Sequence, residues 1–210
     1  IGEGSQFHQT YGYYAQGVGP ETAVLPRGWI DRVHRVQSAA TNQRVGYCLD
    51  LPDLFMSKAA AGEEGSSGHL HCSLLAVDGQ NAFAGAGPGL SPLLQQAVAG
   101  IVRHLPAMSL LYNPTINSYK RLVPGFFAPV DAAWGVDNRA AAARVILPEH
   151  REGTRVELRR PGADVNPYLG LAALVNSICL GIEGALEAPP PIGTSGTVAA
   201  ALPGSLEQAI

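Results

Sequence analysis

Apolar and polar positions along the chain change period several times, and each change predicts an element. Ile30, Val33, Val36 and Ala40 recur at helical spacing and predict a helix over 29–44. Residues 47–56 read as one or two strands interrupted at Pro52, and Glu63 to Gly68 as a polar loop. From His69 to Ala76 the residues alternate, which is the period of a half-buried strand. Ser91-Pro92 is a helix start: a hydroxyl cap, then a proline whose missing N–H is tolerated in the first turn. The stripe Leu94, Val98, Ile101 and Val102 carries that helix to about Leu105. Asn166-Pro167 repeats the start, and Leu169, Ala173, Leu174, Ile178 and Ile182 predict a second strong helix. Residues 126–136, 142–148 and 154–159 read as strands. After Glu187, Pro189-Pro-Pro191 and the Gly/Ser/Thr/Ala stretch to Gly204 read as a linker or surface excursion, dividing a body over 1–187 from a tail over 188–210. No internal repeat is visible. Strands and helices mixed without regular alternation predict an α+β fold rather than a doubly wound sheet.

Size and charge narrow the function classes. The 210 residues suffice for one large domain or two small ones, and 46% hydrophobic content provides for a core. No apolar run reaches the ~18–20 residues that span a bilayer. The opening Ile1-Gly-Glu-Gly-Ser lacks the charged and apolar regions of a signal peptide, and without an initiator Met the chain is expected to begin inside a longer one. A net charge of −3 argues against a nucleic-acid binder held by phosphate contacts. Cys48, Cys72 and Cys179 are widely spaced and odd in number, the pattern of free thiols in a reducing, cytoplasmic compartment. Eight of the fourteen Lys and Arg fall between Lys120 and Arg160. That density fits either a local anion site, where guanidinium forks grip phosphate or carboxylate, or a solvated, salt-bridged surface.

Several constellations could carry chemistry. On a strand, His69, His71 and Ser73 share one face while Leu70, Cys72 and Leu74 share the other, so the imidazoles are expected to face a cleft as metal or phosphate contacts, or to be satisfied structural histidines. Arg155, Glu157 and Arg159 likewise share a face. That array is either a cross-strand ion-pair ladder or a carboxylate for a divalent cation flanked by arginines for substrate anions. Asn138-Arg139 and Arg144 form a turn and strand that could clamp charge in phosphoryl transfer. Gly85-Ala-Gly-Pro-Gly-Leu lacks the Lys-Ser/Thr of a phosphate-binding loop and reads as a surface loop. The run Asn113-Pro-Thr-Ile-Asn-Ser-Tyr-Lys-Arg-Leu-Val-Pro-Gly125 sets two amides and two adjacent cations before a Pro-Gly turn, which favours a tight reversal.

That run closely resembles the signature of the glutamine synthetase family. The likeness extends to Phe55-Met-x-Lys58, Gly65-Ser-x-x-His69-x-His71-x-Ser-Leu74, Asn138-Arg139, Arg155-x-Glu-x-Arg159, Asn166-Pro-Tyr-Leu169 and Gly204-Ser-Leu206-Glu-Gln-Ala. The resemblance implies a catalytic domain with a curved, mostly antiparallel sheet packed with helices. It also implies ATP-dependent joining of ammonium or an organic amine to the γ-carboxylate of glutamate through γ-glutamyl phosphate, with Mg²⁺ or Mn²⁺, in a cytoplasmic ring-shaped homo-oligomer. By matching position, His69 and Glu157 hold metal. His71, Ser73, Arg144 and Arg155 contact ATP. Arg121 and Arg159 hold glutamate beside the Gly65 backbone, and Arg139 stabilises the transferring phosphoryl group.

Three departures from the family pattern shape the expectation. Phe127 stands where ammonium-using members carry a glutamate, offering an apolar wall and a π face for an organic amine. His8 stands where a metal-binding Glu is expected, and imidazole is a poor Mg²⁺ ligand but serves Zn²⁺ or Mn²⁺. Glu64, next to Glu63, replaces an Asn near the substrate and adds negative charge beside a carboxylate site. The alternative function is a non-catalytic relative that keeps nucleotide binding.

Overall fold

The computed structural model describes residues 56–58, 64–85, 89–124, 128–193 and 199–210. The helix predicted over 29–44, the strand region 47–56 apart from Met56, His8 and Phe127 lie outside the described residues. In chain order the elements are β1 (Leu70–Cys72), α1 (Pro92–His104), α2 (Ser109–Tyr112), α3 (Ile116–Lys120), β2 (Asp131–Ala132), β3 (Trp134–Val136), β4 (Ala143–Ile146), β5 (Arg155–Leu158), α4 (Pro167–Glu183), β6 (Ala200–Ala201) and α5 (Leu206–Ala209). A 3₁₀ turn, Arg151–Gly153, precedes β5. The mixture is α+β. None of the described helices is long and apolar enough to cross a membrane.

The main sheet runs β1-β5-β4-β3. β5 pairs antiparallel with both β1 and β4, and β3 joins β4 in parallel. One face buries Leu70, Val156, Leu158, Ala143, Val145 and Trp134 against α1 and α4. β-branched and small residues suit that pleated, half-covered surface. Both covering helices start as the sequence predicts. Ser91 Oγ accepts from Leu94 N at 3.1 Å, and Asn166 Oδ1 accepts from Tyr168 N at 3.0 Å and Leu169 N at 3.3 Å. They cross at Gly100 and Gly181, where a Cβ on Gly100 would lie 2.7 Å from Gly181 Cα.

The strands are shorter than the sequence predicts. The alternating run from His69 gives a ladder only over Leu70–Cys72, with a further bridge between Leu75 and Asn81. The 126–136 run divides into β2 and β3 around Ala133. Two short helices were not anticipated. α3 forms because Thr115 and Ser118 make a reciprocal capping box at its start. The proline-rich stretch after α4 is stitched to the sheet: Trp134 Nε1 donates to Pro189 O at 2.6 Å and Ile192 N to Trp134 O at 2.7 Å. β6 then pairs with β2, and Leu202 N donates to Val130 O at 2.9 Å.

Candidate active site

Burial of Leu70, Val156 and Leu158 turns their strand neighbours to the other face of the sheet. Register then sets His71 and Arg144 directly opposite Glu157, one on each flanking strand. Glu157 is only 1% exposed and becomes a hub. Its Oε1 lies 2.9 Å from His69 Nδ1, 3.1 Å from Arg159 Nη1 and 3.7 Å from His71 Nε2, while Oε2 accepts from Arg144 Nη1 at 3.2 Å. Arg144 also reaches Asp137 Oδ1 at 3.2 Å.

The electrostatics follow from this crowding. Burial alone would raise the pKa of Glu157. The hydrogen bond from His69 and the positive charge of His69, Arg159 and His71 outweigh it and bring the carboxyl down to about 2. Burial pushes both His69 and His71 below the usual imidazole range. The fixed counter-charges of Glu157 are the two guanidiniums. With Nδ1–H donating to Glu157, His69 keeps a lone pair on Nε2 for a ligand. A carboxylate oxygen and imidazole nitrogens are suitable donors for a divalent cation. Among the described residues no group of three or more His, Cys, Asp or Glu is arranged to hold a metal.

Beside the hub lies a second cationic corner. Arg121, at the end of α3, is buried, and its Nη2 donates to the backbone oxygen of Arg160. Burial, then the charge of Arg160, lowers its pKa to about 10, which leaves it cationic at neutral pH. Gly65 lies against it. A Cβ there would run into the Arg121 side chain and lie 2.5 Å from Ser57 O, so only glycine lets this backbone settle on the guanidinium stem.

Other predicted site residues lie around these two centres. Arg139 is exposed in the β3–β4 turn, and its backbone oxygen accepts from Arg159 Nε at 3.1 Å. Arg155 turns toward the 3₁₀ turn, donating to Gly153 O at 2.8 Å. Ser73 and Glu64 are exposed. A polar cavity of about 380 Å³ lies between residues 80–85 and 149–152, and none of the hub residues lines it.

Sequence reasoning singled out the Asn117 amide without its role, and missed Asp164 altogether. Asn117 clasps the Lys58 backbone, accepting from its N–H and donating to its carbonyl, each at 2.9 Å. Asp164 accepts from Ser57 Oγ, from Thr115 Oγ1 at 2.8 Å and from Ser118 Oγ at 2.6 Å. Only the proximity of Asp164 to Arg159 and Arg160 in sequence hinted at a role, since lone aspartates in turns are common.

Comparison with known proteins supplies the family. The family described as glutamine synthetase, catalytic domain, matches residues 41–210. Gamma-glutamylethanolamide synthetase GlnA4 of Streptomyces coelicolor is 51% identical over 128 residues, 61% of this chain and 27% of that protein. A 3-hydroxylaminophenol mutase of Cupriavidus pinatubonensis is 41% identical over 69% of this chain and 30% of its own length. Glutamine synthetase of Aquifex aeolicus is 39% identical over 168 residues, 74% of this chain and 35% of that protein. The chain thus spans roughly a third or less of the relatives it matches. By the extent of the family match, the chain belongs to the glutamine synthetase family, through its catalytic domain.

Proposed function

We propose that the protein containing this chain joins an amine to the γ-carboxylate of glutamate at the expense of ATP. The observation that carries this reading is the Glu157 hub, a buried carboxylate ringed by two imidazoles and two guanidiniums on one sheet face. Such a site suits a nucleotide polyphosphate together with a divalent cation. Because Arg144 and Arg159 already balance Glu157, a divalent cation is favoured there chiefly when an anion takes over the guanidiniums. Mg²⁺ or Mn²⁺ would be held by His69 and Glu157, with other ligands from water, phosphates and residues outside the described set. When bound it supplies charge neutralisation on the phosphates.

In this reading His71, Ser73, Arg144 and Arg155 face the nucleotide, and Arg121 and Arg159 fix the carboxylates of glutamate beside Gly65. The γ-carboxylate oxygen attacks the γ-phosphorus of ATP, releasing ADP. The amine then attacks the acyl phosphate, forming the amide and releasing phosphate and a proton. Arg139 offsets the charge on the transferring group. The acceptor is an organic amine. Phe127 supplies no carboxylate for ammonium, and the similarity to a gamma-glutamylethanolamide synthetase favours the same class of acceptor. A homo-oligomeric ring in the cytoplasm, with a neighbouring subunit completing the site, belongs to the same proposal, as does a metal role for His8 and a substrate-side role for Glu64.

The second reading is a non-catalytic relative that binds nucleotide, favoured by the partial metal shell among the described residues. An amine panel with the full-length protein, glutamate, ATP and Mg²⁺ or Mn²⁺ decides between them. Turnover with ethanolamine or another organic amine exceeding that with ammonium is the expected result. Glutamine formation at ordinary ammonium levels, with organic amines inert, overturns the acceptor assignment. ATP binding that depends on Glu157 without any glutamate-dependent turnover establishes the second reading.

A further inference from the structure

We propose that Asp164 is the positioning residue of the glutamate-anchoring corner, fixing the Gly65 backbone and Arg121 without touching substrate. This inference rests on the ligase reading for the identity of the substrate, but not for the hub itself. The carboxylate accepts from three hydroxyls on two separate segments. Ser57 belongs to the segment beneath the Gly65 loop, where Ser66 N donates to Ser57 O at 2.9 Å. Thr115 and Ser118 form the capping box of α3, the helix that ends at Arg121. The loop of Asp164 is itself tied to both: Ala163 N donates to Ser66 O at 3.2 Å, and Gly162 N to Tyr112 O at 3.2 Å.

Two segments distant in sequence are thus bolted to one charged group. A carboxylate accepting from hydroxyls makes stronger bonds than neutral acceptors do. Its negative charge also favours the cationic state of the buried Arg121, against burial and the charge of Arg160. No ion pair between Asp164 and Arg121 is formed, so the guanidinium is steadied without being capped by its own protein's carboxylate. Gly162 is constrained by the same hub: a Cβ there would lie 2.5 Å from Asp164 Oδ1.

The test compares the full-length protein with its Asp164→Asn variant, which keeps shape and removes the charge. Two readouts are taken, amide hydrogen exchange and steady-state kinetics. Faster exchange in 64–68 and 115–121, with 143–146 and 155–158 unchanged, is expected. The KM for glutamate should rise about tenfold while that for ATP stays within about twofold, the split expected when one substrate's anchor is displaced. Unchanged exchange in both segments overturns the proposal, as does an equal effect on both substrates. Altered exchange in a protein with no glutamate-dependent turnover supports the hub and refutes the ligase reading instead. Should Asp164→Asn fail to fold, Ser57→Ala removes one donor and reads out the same segments.

Discussion

At the scale of single residues, the charge balance at Glu157 governs what the site can tolerate. Glu157→Gln would leave Arg144 and Arg159 facing a neutral amide in a buried setting. Breaking a buried pair by removing one partner typically costs about 3–5 kcal/mol. Because the folded carboxyl sits near 2 against an ordinary 4.5, its contribution is fully present above about pH 4.5 and is lost as pH falls toward 2. Thermal melts should therefore show the variant well below the parent at neutral pH, with the gap closing under acid; a gap independent of pH would refute this balance. Strand alternation made parts of this hub legible in sequence, pairing His69 with His71 on one strand and Glu157 with Arg159 on another, while the register that brings the two pairs and Arg144 together was not. Asp137 and Asp164 were not, because their partners come from register and loop packing that no local pattern encodes.

Elements make the next level of argument. α1 and α4 form the back layer that holds the sheet, and their closest approach is backbone on backbone at Gly100 and Gly181. Alanine at either position gains up to about 1 kcal/mol of helix propensity. That gain is outweighed, because a Cβ at Gly181 would meet Gly100 Cα at 2.8 Å, with no flexible side chain to yield. Gly100→Ala is expected to destabilise the protein by about 1–3 kcal/mol in denaturant unfolding; a neutral or stabilising result would contradict the crossing. The two long helices were readable from their Ser-Pro and Asn-Pro starts. α2 and α3 were not, being too short for a helical period to emerge. The parallel pairing of β3 with β4 was equally invisible, since residue type does not fix strand direction.

For the molecule as a whole, Arg160 links the chain just before β2 to the chain just after β6. It is 1% exposed, and its guanidinium donates to Pro129 O at 2.8 Å and to Pro203 O. Arg160→Met would fill much of the same volume but leave both carbonyls without that donor. Relief of a buried charge offsets part of the global loss, so the clearest effect should be local. Faster hydrogen exchange at the Leu202 amide, which bonds to Val130, is expected with a smaller change in Tm; an unaltered Leu202 amide would show that the β2–β6 pairing holds without Arg160.

The same arginine also bears on the order in which the chain acquires structure. Its two acceptors lie 31 positions before it and 43 after it, so one half of the clasp emerges from the ribosome well ahead of the other. Until residue 203 has been made, Arg160 has one of its two carbonyl acceptors still unsynthesised. The clasp as a whole therefore closes only once residue 203 has been made, however early the Pro129 side is in place.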